Sequence, residues 1–230
     1  MPRLSAIVVR LFLALGVVAP LAAAEFPGTL VLGRPTDKLI AANVVAPSAL
    51  SFYLEYGTRP GVYGSQSTPV DLAANQPKEI ELKGLAAGTR HYYRMRFKTA
   101  AAAGYDAGSE FSFMTARPAG SSFTFGVQGD SHPERLRQMF DPVLYNRAMQ
   151  NVSADQPDFF IMLGDDFSVD TINQANPRAV TQPQVVERYT IQRPYLGIIG
   201  RTTPIFLVNG NHEQAARYLL DGTPNNVAVW

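Results

Sequence analysis

The chain has 230 residues, of which 46% are hydrophobic and 17% charged, which is an ordinary balance for a folded globular protein. Its formal net charge is +1, so the composition carries no signature of a nucleic-acid-binding protein. The sequence contains no cysteine, which excludes disulfides, thiolate metal ligands and cysteine nucleophiles.

The first 24 residues have the pattern of an export signal. Arg3 and Arg10 precede an apolar run over 11–19, and a Leu-Ala-Ala-Ala sequence ends at Ala24. We predict a signal peptide over residues 1–24 with cleavage after Ala24, and hence a secreted or periplasmic protein. The alternative is an uncleaved membrane anchor, but the apolar run is shorter than the roughly 20 residues that a spanning helix needs. No stable membrane span is expected after cleavage.

Residues 26–116 alternate between apolar and polar side chains in several short runs, which is the period of half-buried β-strands. The runs around Leu54, Leu82, Met95 and Phe113 are separated by turn residues, and no helix-length amphipathic stretch interrupts them. This pattern predicts a β-sandwich over 26–116. The segment 117–122 is rich in Pro, Gly and Ser and is predicted to be a linker.

The run over 85–94 resembles the fibronectin type III pattern before its sixth strand. That pattern has a leucine, a turn, a threonine and, two residues later, a tyrosine that forms a corner hydrogen bond. Here His91 occupies the tyrosine position, and an imidazole could still make this bond. We interpret His91 as a structural strand residue and not as a ligand.

From residue 123 onward, short apolar runs are separated by helix-length stretches. Strands are predicted at 123–127, 159–163 and 204–208, and helices at 133–152 and 185–199. Pro142 and Pro194 would interrupt the two helices. The order strand, helix, strand predicts right-handed βαβ crossovers and a parallel α/β sheet whose strands are buried on both faces.

A polar cluster directly follows each of the three predicted strands, at 129–132, 164–166 and 210–213. Ligands of parallel sheets gather at the carboxyl ends of the strands. We therefore expect five side chains to converge there: Asp130, His132, Asp165, Asn211 and His212. Carboxylate, imidazole and amide oxygen suit divalent transition metals, so the pattern predicts metal-assisted hydrolysis.

The clusters resemble, in order, the Asp-x-His, Gly-Asp and Gly-Asn-His-Glu motifs of the calcineurin-like metallophosphoesterase superfamily. The resemblance implies that Asp130, His132 and Asp165 hold one metal, that Asp165 and Asn211 hold a second, and that His212 assists catalysis. The metals would be manganese, zinc or iron, and the substrate a small phosphomonoester or phosphodiester. Two metals would activate water and neutralise charge on the phosphoryl oxygens.

The predicted sandwich before these motifs resembles the N-terminal domain of purple acid phosphatases and related exported phosphoesterases. One departure is Ser168, which stands where the purple enzymes have a tyrosine ligand. The family also carries a further histidine and a Gly-His-x-His motif downstream, whereas this sequence has three histidines in all, His91, His132 and His212. We therefore interpret 123–230 as the N-terminal part of a metallophosphoesterase domain, truncated at its C-terminus, with an incomplete metal shell and poor activity. The complete family domain is a two-sheet sandwich.

Several nearby residues receive plainer interpretations. Glu134, Arg135 and Arg137 fit an exposed helix face, Asp166 fits a solvated or supporting residue, and Glu213 fits a residue that caps or orients. A different class of function remains open, namely a non-catalytic exported binding or adhesion module that works through the sandwich. A degenerate product without function is a third possibility. The sequence does not predict the oligomeric state.

Overall fold

The protein is described here by a computed structural model that covers residues 23–169, 171–172 and 180–213. The predicted signal peptide, apart from its last two residues, therefore lies outside the described part, as do residues 214–230. The first eight strands are β1 (Thr29–Gly33), β2 (Leu39–Val45), β3 (Leu50–Gly57), β4 (Ser65–Gln66), β5 (Val70–Leu72), β6 (Lys78–Lys83), β7 (Arg90–Lys98) and β8 (Asp106–Met114). The remaining elements are β9 (Phe125–Gln128), α1 (Pro142–Asp155), β10 (Phe159–Met162), α2 (Gln182–Gly200) and β11 (Ile205–Leu207).

The first eight strands form two antiparallel sheets that enclose an apolar core. One sheet has the order β1-β2-β6, and the other has the order β4-β3-β7-β8, with β5 also paired to β3. Burial alternates along β7, where His91, Tyr93, Met95 and Phe97 are buried and the residues between them are partly exposed. The β-sandwich expected from the period-two alternation is therefore confirmed, and His91 lies inside it.

The last three strands form a parallel sheet in the order β11-β10-β9, as the strand and helix pattern predicted. Two right-handed crossovers that run in the same direction place both connecting helices on one face of a sheet. This face carries a second core, in which Met149 of α1 and Leu196 of α2 pack with Phe160 and Met162 of β10.

The prediction that these strands are buried on both faces is wrong for the described residues. On the face opposite the helices, Phe125, Val127 and Leu163 are 53%, 52% and 56% exposed. A groove of about 550 Å³, lined partly by Phe159 and Phe206, adjoins this face. Because both helices lie on the other side, no helix of the described ranges covers this apolar surface.

Both predicted helices have different bounds in the structure, Pro142–Asp155 and Gln182–Gly200. The helix predicted over 133–152 begins instead at Pro142, because Asp141 caps it by accepting hydrogen bonds from the backbone nitrogens of Val143 (2.8 Å) and Leu144 (3.1 Å). A proline suits the first helical position, where no backbone donor is needed. The second helix continues through Pro194 and ends at Gly200. Of the helices in the described ranges, none combines the length and apolarity that a membrane crossing requires.

Helix α2 also packs against the sandwich. Val31 of β1 belongs to the core of the parallel sheet, and a Cβ added to Gly200 would lie 3.0 Å from a Val31 side-chain atom. The Arg193 guanidinium donates to Thr29 Oγ1 (2.7 Å), to Asn43 O (2.9 Å) and to Asn43 Oδ1 (2.7 Å). Since β1 serves both cores, the division into domains at 116 and 123 stays a prediction.

Candidate active site

Three loops meet at the carboxyl edge of the parallel sheet: the first loop (129–135), the second loop (163–168) and the third loop (208–213). Backbone hydrogen bonds join the first loop to the second, from Asp130 N to Gly164 O (3.1 Å) and from His132 N to Asp166 O (3.0 Å). The second loop lies directly on the third, since a Cβ at Gly164 would be 2.1 Å from Gly210 N. Because Gly164 has no side chain, the two loops approach closely here, and this brings all three sequence clusters together.

The backbone of these loops is strained at the predicted site residues. Asp130, His132 and Asp165 have φ angles of 58°, 44° and 53°, in the left-handed region that residues other than glycine seldom adopt. Such conformations cost of the order of 1–3 kcal/mol each and are concentrated at functional sites. This strain was not predicted, because the sequence analysis placed these residues only as polar clusters that directly follow the strands.

Glu134 orients the imidazole of His132. The Nδ1 atom of His132 lies 3.2 Å from Glu134 Oε1 and 3.2 Å from Ser168 Oγ, and Ser168 N donates to the same carboxylate oxygen at 2.8 Å. The Glu134 side chain is only 3% exposed, so its interpretation as part of an exposed helix face is wrong. A carboxylate at Nδ1 fixes the ring and leaves Nε2 as the nitrogen that can face an ion.

Three of the five predicted site residues are in contact. The Oδ1 atom of Asp165 accepts a hydrogen bond from His212 N at 2.9 Å, and the rings of His132 and His212 meet edge to face with centroids 5.2 Å apart. The side chains of Asp130 and Asn211 are exposed, and within the described ranges they make no hydrogen bond to the other three. The same ranges contain no group of three or more His, Asp or Glu side chains placed to share one ion.

Asp166 is buried beneath the loops and is 4% exposed, so of its two interpretations, solvated or supporting, the structure confirms the supporting one. Its Oδ1 accepts a hydrogen bond from Ser131 Oγ (3.1 Å), which in turn accepts one from Gln192 Nε2 of α2 (3.0 Å). Burial, together with the nearby carboxylate of Glu213, raises the pKa of Asp166 to about 7. This side chain therefore supports the first loop from below and does not point to solvent.

Glu213 is 3% exposed and joins the second loop to the third. Its carboxylate accepts hydrogen bonds from four backbone nitrogens, those of Asp165 (2.8 Å), Asp166 (2.6 Å), Phe167 (3.3 Å) and Gly210 (2.8 Å). This geometry agrees with the interpretation of Glu213 as a residue that caps or orients.

Sequence reasoning missed Glu134, Ser168 and Gln192 as supports of the site. The signal for Glu134 was available: a proline at 142 preceded by an aspartate marks a helix start, which leaves 133–141 in the loop that follows His132. Gln192 had no comparable signal, because its contact with Ser131 spans 61 positions of the sequence.

The donor atoms fit a transition metal in kind, and the geometry fits it in part. An oriented imidazole, His132, and a carboxylate, Asp165, occupy adjacent loops, and both are ligands that zinc, manganese and iron accept. Glu134 supplies the buried carboxylate that usually accompanies a metal-binding histidine. These residues can therefore hold part of a metal shell at the sheet edge.

No known family profile and no curated protein matches this sequence. Among solved structures, that of PhoD aligns over 83% of this chain and 41% of its own, with 16% identity and a TM-score of 0.54. Purple acid phosphatase PPD1 from yellow lupin (Lupinus luteus) seeds aligns over 82% of this chain and 35% of its own, with 15% identity and a TM-score of 0.54. The fibronectin type III domain of human collagen XX covers 43% of this chain, with 22% identity and a TM-score of 0.31.

The chain thus spans less than half the length of the first two neighbours. At these identities the likeness is one of fold. It shows that the arrangement of sandwich and parallel sheet in these two structures extends over most of this chain.

Proposed function

We propose that this chain carries part of a metal-dependent phosphoester hydrolase of the calcineurin-like type, in a secreted or periplasmic protein. The observation that carries the proposal is the contact of His132, Asp165 and His212, which come from three separate loops at the carboxyl edge of one parallel sheet. The fold shared with PhoD and with purple acid phosphatase PPD1 supports it.

In this proposal Asp130, His132, Asp165 and Asn211 hold the metal. His132 would bind through Nε2, because its Nδ1 is engaged by Glu134 and Ser168. Asp165 already directs Oδ1 to the backbone of His212, which leaves Oδ2 for an ion. The side chains of Asp130 and Asn211 are exposed at the same edge, where each would complete the shell by a change of rotamer.

A bound metal of this class supplies positive charge against a phosphoryl group and lowers the pKa of water. Proton transfer and stabilisation of charge on the substrate would fall to His212, which is half-buried and contacts the ring of His132. Its imidazole can donate a proton to a leaving-group oxygen or stabilise charge on a phosphoryl oxygen. The edge-to-face contact with His132 holds that ring beside the proposed metal ligands.

Metal uptake tests the proposal directly. The chain beginning at Glu25 is dialysed against Mn²⁺, Zn²⁺ or Fe²⁺, and the bound metal is counted by elemental analysis. We expect the wild-type chain to take up metal and the Asp165→Asn and His132→Ala variants to take up none. The Asp37→Asn variant, which changes an exposed loop carboxylate, should take up as much metal as wild type. The corresponding activity is hydrolysis of p-nitrophenyl phosphate or bis-p-nitrophenyl phosphate, and EDTA should abolish it.

The competing function is a non-catalytic binding or adhesion module. A protein of that class has no use for the polar edge of the parallel sheet, so its metal content would not change with Asp165 or His132. Wild-type protein that takes up no metal, or that takes up equal metal in all four forms, would reject the hydrolase proposal.

A further inference from the structure

We infer that Glu213 is a positioning residue for the proposed metal site: its carboxylate holds the second and third loops in the register that places Asp165 beside Asn211 and His212. This inference rests on the proposed function. The residue touches neither substrate nor metal in this arrangement, so it would act on the site through the two loops.

The bonding pattern of Glu213 is specific to a carboxylate. One oxygen, Oε1, accepts from the nitrogens of Asp166 and Phe167, and the other, Oε2, accepts from those of Asp165 and Gly210. All four partners are donors, so both side-chain oxygens must be acceptors. Backbone donors that lose such a partner inside a protein carry the full cost of burial without a hydrogen bond.

The Oε2 atom makes the connection between the loops. It accepts at 2.8 Å from Asp165 N in the second loop and at 2.8 Å from Gly210 N in the third. The two loops are in steric contact at the same place, since a Cβ at Gly210 would lie 2.2 Å from Asp165 Oδ1. Contact without this bridge would fix the distance between the loops but not their register.

The position of Asp165 shows why the register matters. Its φ angle of 53° is strained. The same residue donates its backbone N–H to Glu213 and accepts a hydrogen bond from His212 N at its Oδ1. Loss of the bridge would let Asp165 relax to an ordinary backbone conformation, which turns its carboxylate away from His212. The proposed ligands of the two loops would then separate.

Two substitutions test this role. Glu213→Gln keeps the length of the side chain but replaces one acceptor by an NH₂ group that faces two backbone donors. Glu213→Asp keeps both acceptors but is one methylene too short to reach both loops. The control is Asp141→Ala, which also removes a carboxylate that caps backbone nitrogens, at the start of α1 and outside the three loops.

Each variant is measured in two ways, at a temperature where circular dichroism shows it folded. Hydrogen exchange of the metal-free protein measures the exchange rates of the backbone amides of residues 165–167 and 210. Titration with Zn²⁺ or Mn²⁺ measures the affinity for metal. We expect Glu213→Gln to speed exchange at one donor pair, and both Glu213 variants to bind metal about tenfold or more weakly, the usual range for lost support of a ligand. Asp141→Ala should change neither measurement.

The outcomes distinguish failure of the positioning role of Glu213 from failure of the proposed function. Wild-type protein that binds metal, together with a Glu213→Gln variant that binds it equally tightly, overturns the positioning role and leaves the proposed function standing. Unchanged exchange at both donor pairs overturns it as well. Wild-type protein that binds no metal defeats the proposed function, and the inference fails with it.

Discussion

Gln192 and Arg193 are adjacent in α2, yet their side chains connect different parts of the molecule. Gln192 Nε2 donates to Ser131 Oγ in the first loop at 3.0 Å, and Arg193 Nη2 donates to Asn43 Oδ1 of β2 at 2.7 Å. One turn of one helix therefore links the proposed site to the sandwich. The sandwich is thus part of the support of the site.

The partly buried guanidinium of Arg193 should be a major contributor to this link. Burial lowers its pKa to about 10, and its hydrogen-bond partners in the sandwich are the neutral groups of Thr29 and Asn43. We expect Arg193→Ala to lower the free energy of unfolding by about 1–3 kcal/mol, because these acceptors lose their donor. Urea denaturation measures the change. Glu187→Ala, on the exposed side of the same helix, should stay within about 0.5 kcal/mol of wild type.

The apolar contact between β1 and the second core gives a separate prediction. Val31 is 8% exposed and packs with Leu196 and Ile199 of α2. Val31→Ala should destabilise the protein by about 1–3 kcal/mol through the lost methyl groups and the resulting cavity. Val143→Ala removes the same atoms at a position that is 67% exposed, so thermal unfolding should show a much smaller shift for it.

His91 should make the sandwich sensitive to acid. Its Nε2 lies 3.4 Å from Ala86 O, which is the corner contact expected from the fibronectin pattern, and burial lowers its pKa below the ordinary value of 6.5. The unfolded chain therefore takes up a proton before the folded one does. Stability should be unaffected by His91 above the unfolded pKa and should fall as the pH drops below it.

The measurement is urea denaturation between pH 8 and pH 5, comparing wild type with His91→Tyr, which restores the tyrosine of the pattern. Asp166, whose pKa is raised, acts in the opposite sense, since its contribution falls as the pH rises toward 7. That contribution is common to both proteins and cancels in their difference. A wild-type stability that follows the variant at every pH would refute the prediction.

Gly210 should tolerate no side chain. A Cβ there would lie 2.2 Å from Asp165 Oδ1 and 2.4 Å from Asp165 N, both held by the surrounding loops. Gly210→Ala should cost about 1–3 kcal/mol by overpacking and should remove metal uptake together with stability. Gly104→Ala is the control, because nothing lies within 4 Å of the Cβ it would add. Equal unfolding midpoints for the two variants would contradict the prediction.

The sequence predicted most of the fold because its signals are local. Alternation along β3 and β7 marked the sandwich, and apolar runs that end in polar clusters marked the strands of the parallel sheet. The first helix was placed too early because Pro142 was interpreted as a break, whereas the Asp141 cap makes it a beginning. Helix α2 kept its continuity through Pro194, where packing outweighed the lost backbone donor.

The site was predicted less completely than the fold, because its supports depend on distant pairs. The contacts of Glu134 with Ser168, of Glu213 with Asp165 and of Gln192 with Ser131 join residues 34, 48 and 61 positions apart. Composition and periodicity carry no information on such pairs. The positive φ angles of Asp130 and His132 were equally invisible, since they arise from hydrogen bonds between loops.

Within the part of the chain that the structure describes, helices cover the parallel sheet on one side only, and this also affects how the purified polypeptide behaves in solution. The apolar face that includes Phe125, Val127 and Leu163 is solvent-exposed, and its neighbours on β11 add Phe206, which is 42% exposed. Surfaces of this kind associate with one another. The purified chain should therefore lose monomer by a second-order process. The rate of this loss would depend on protein concentration more than on the free energy of folding. Light scattering over a concentration series would measure it.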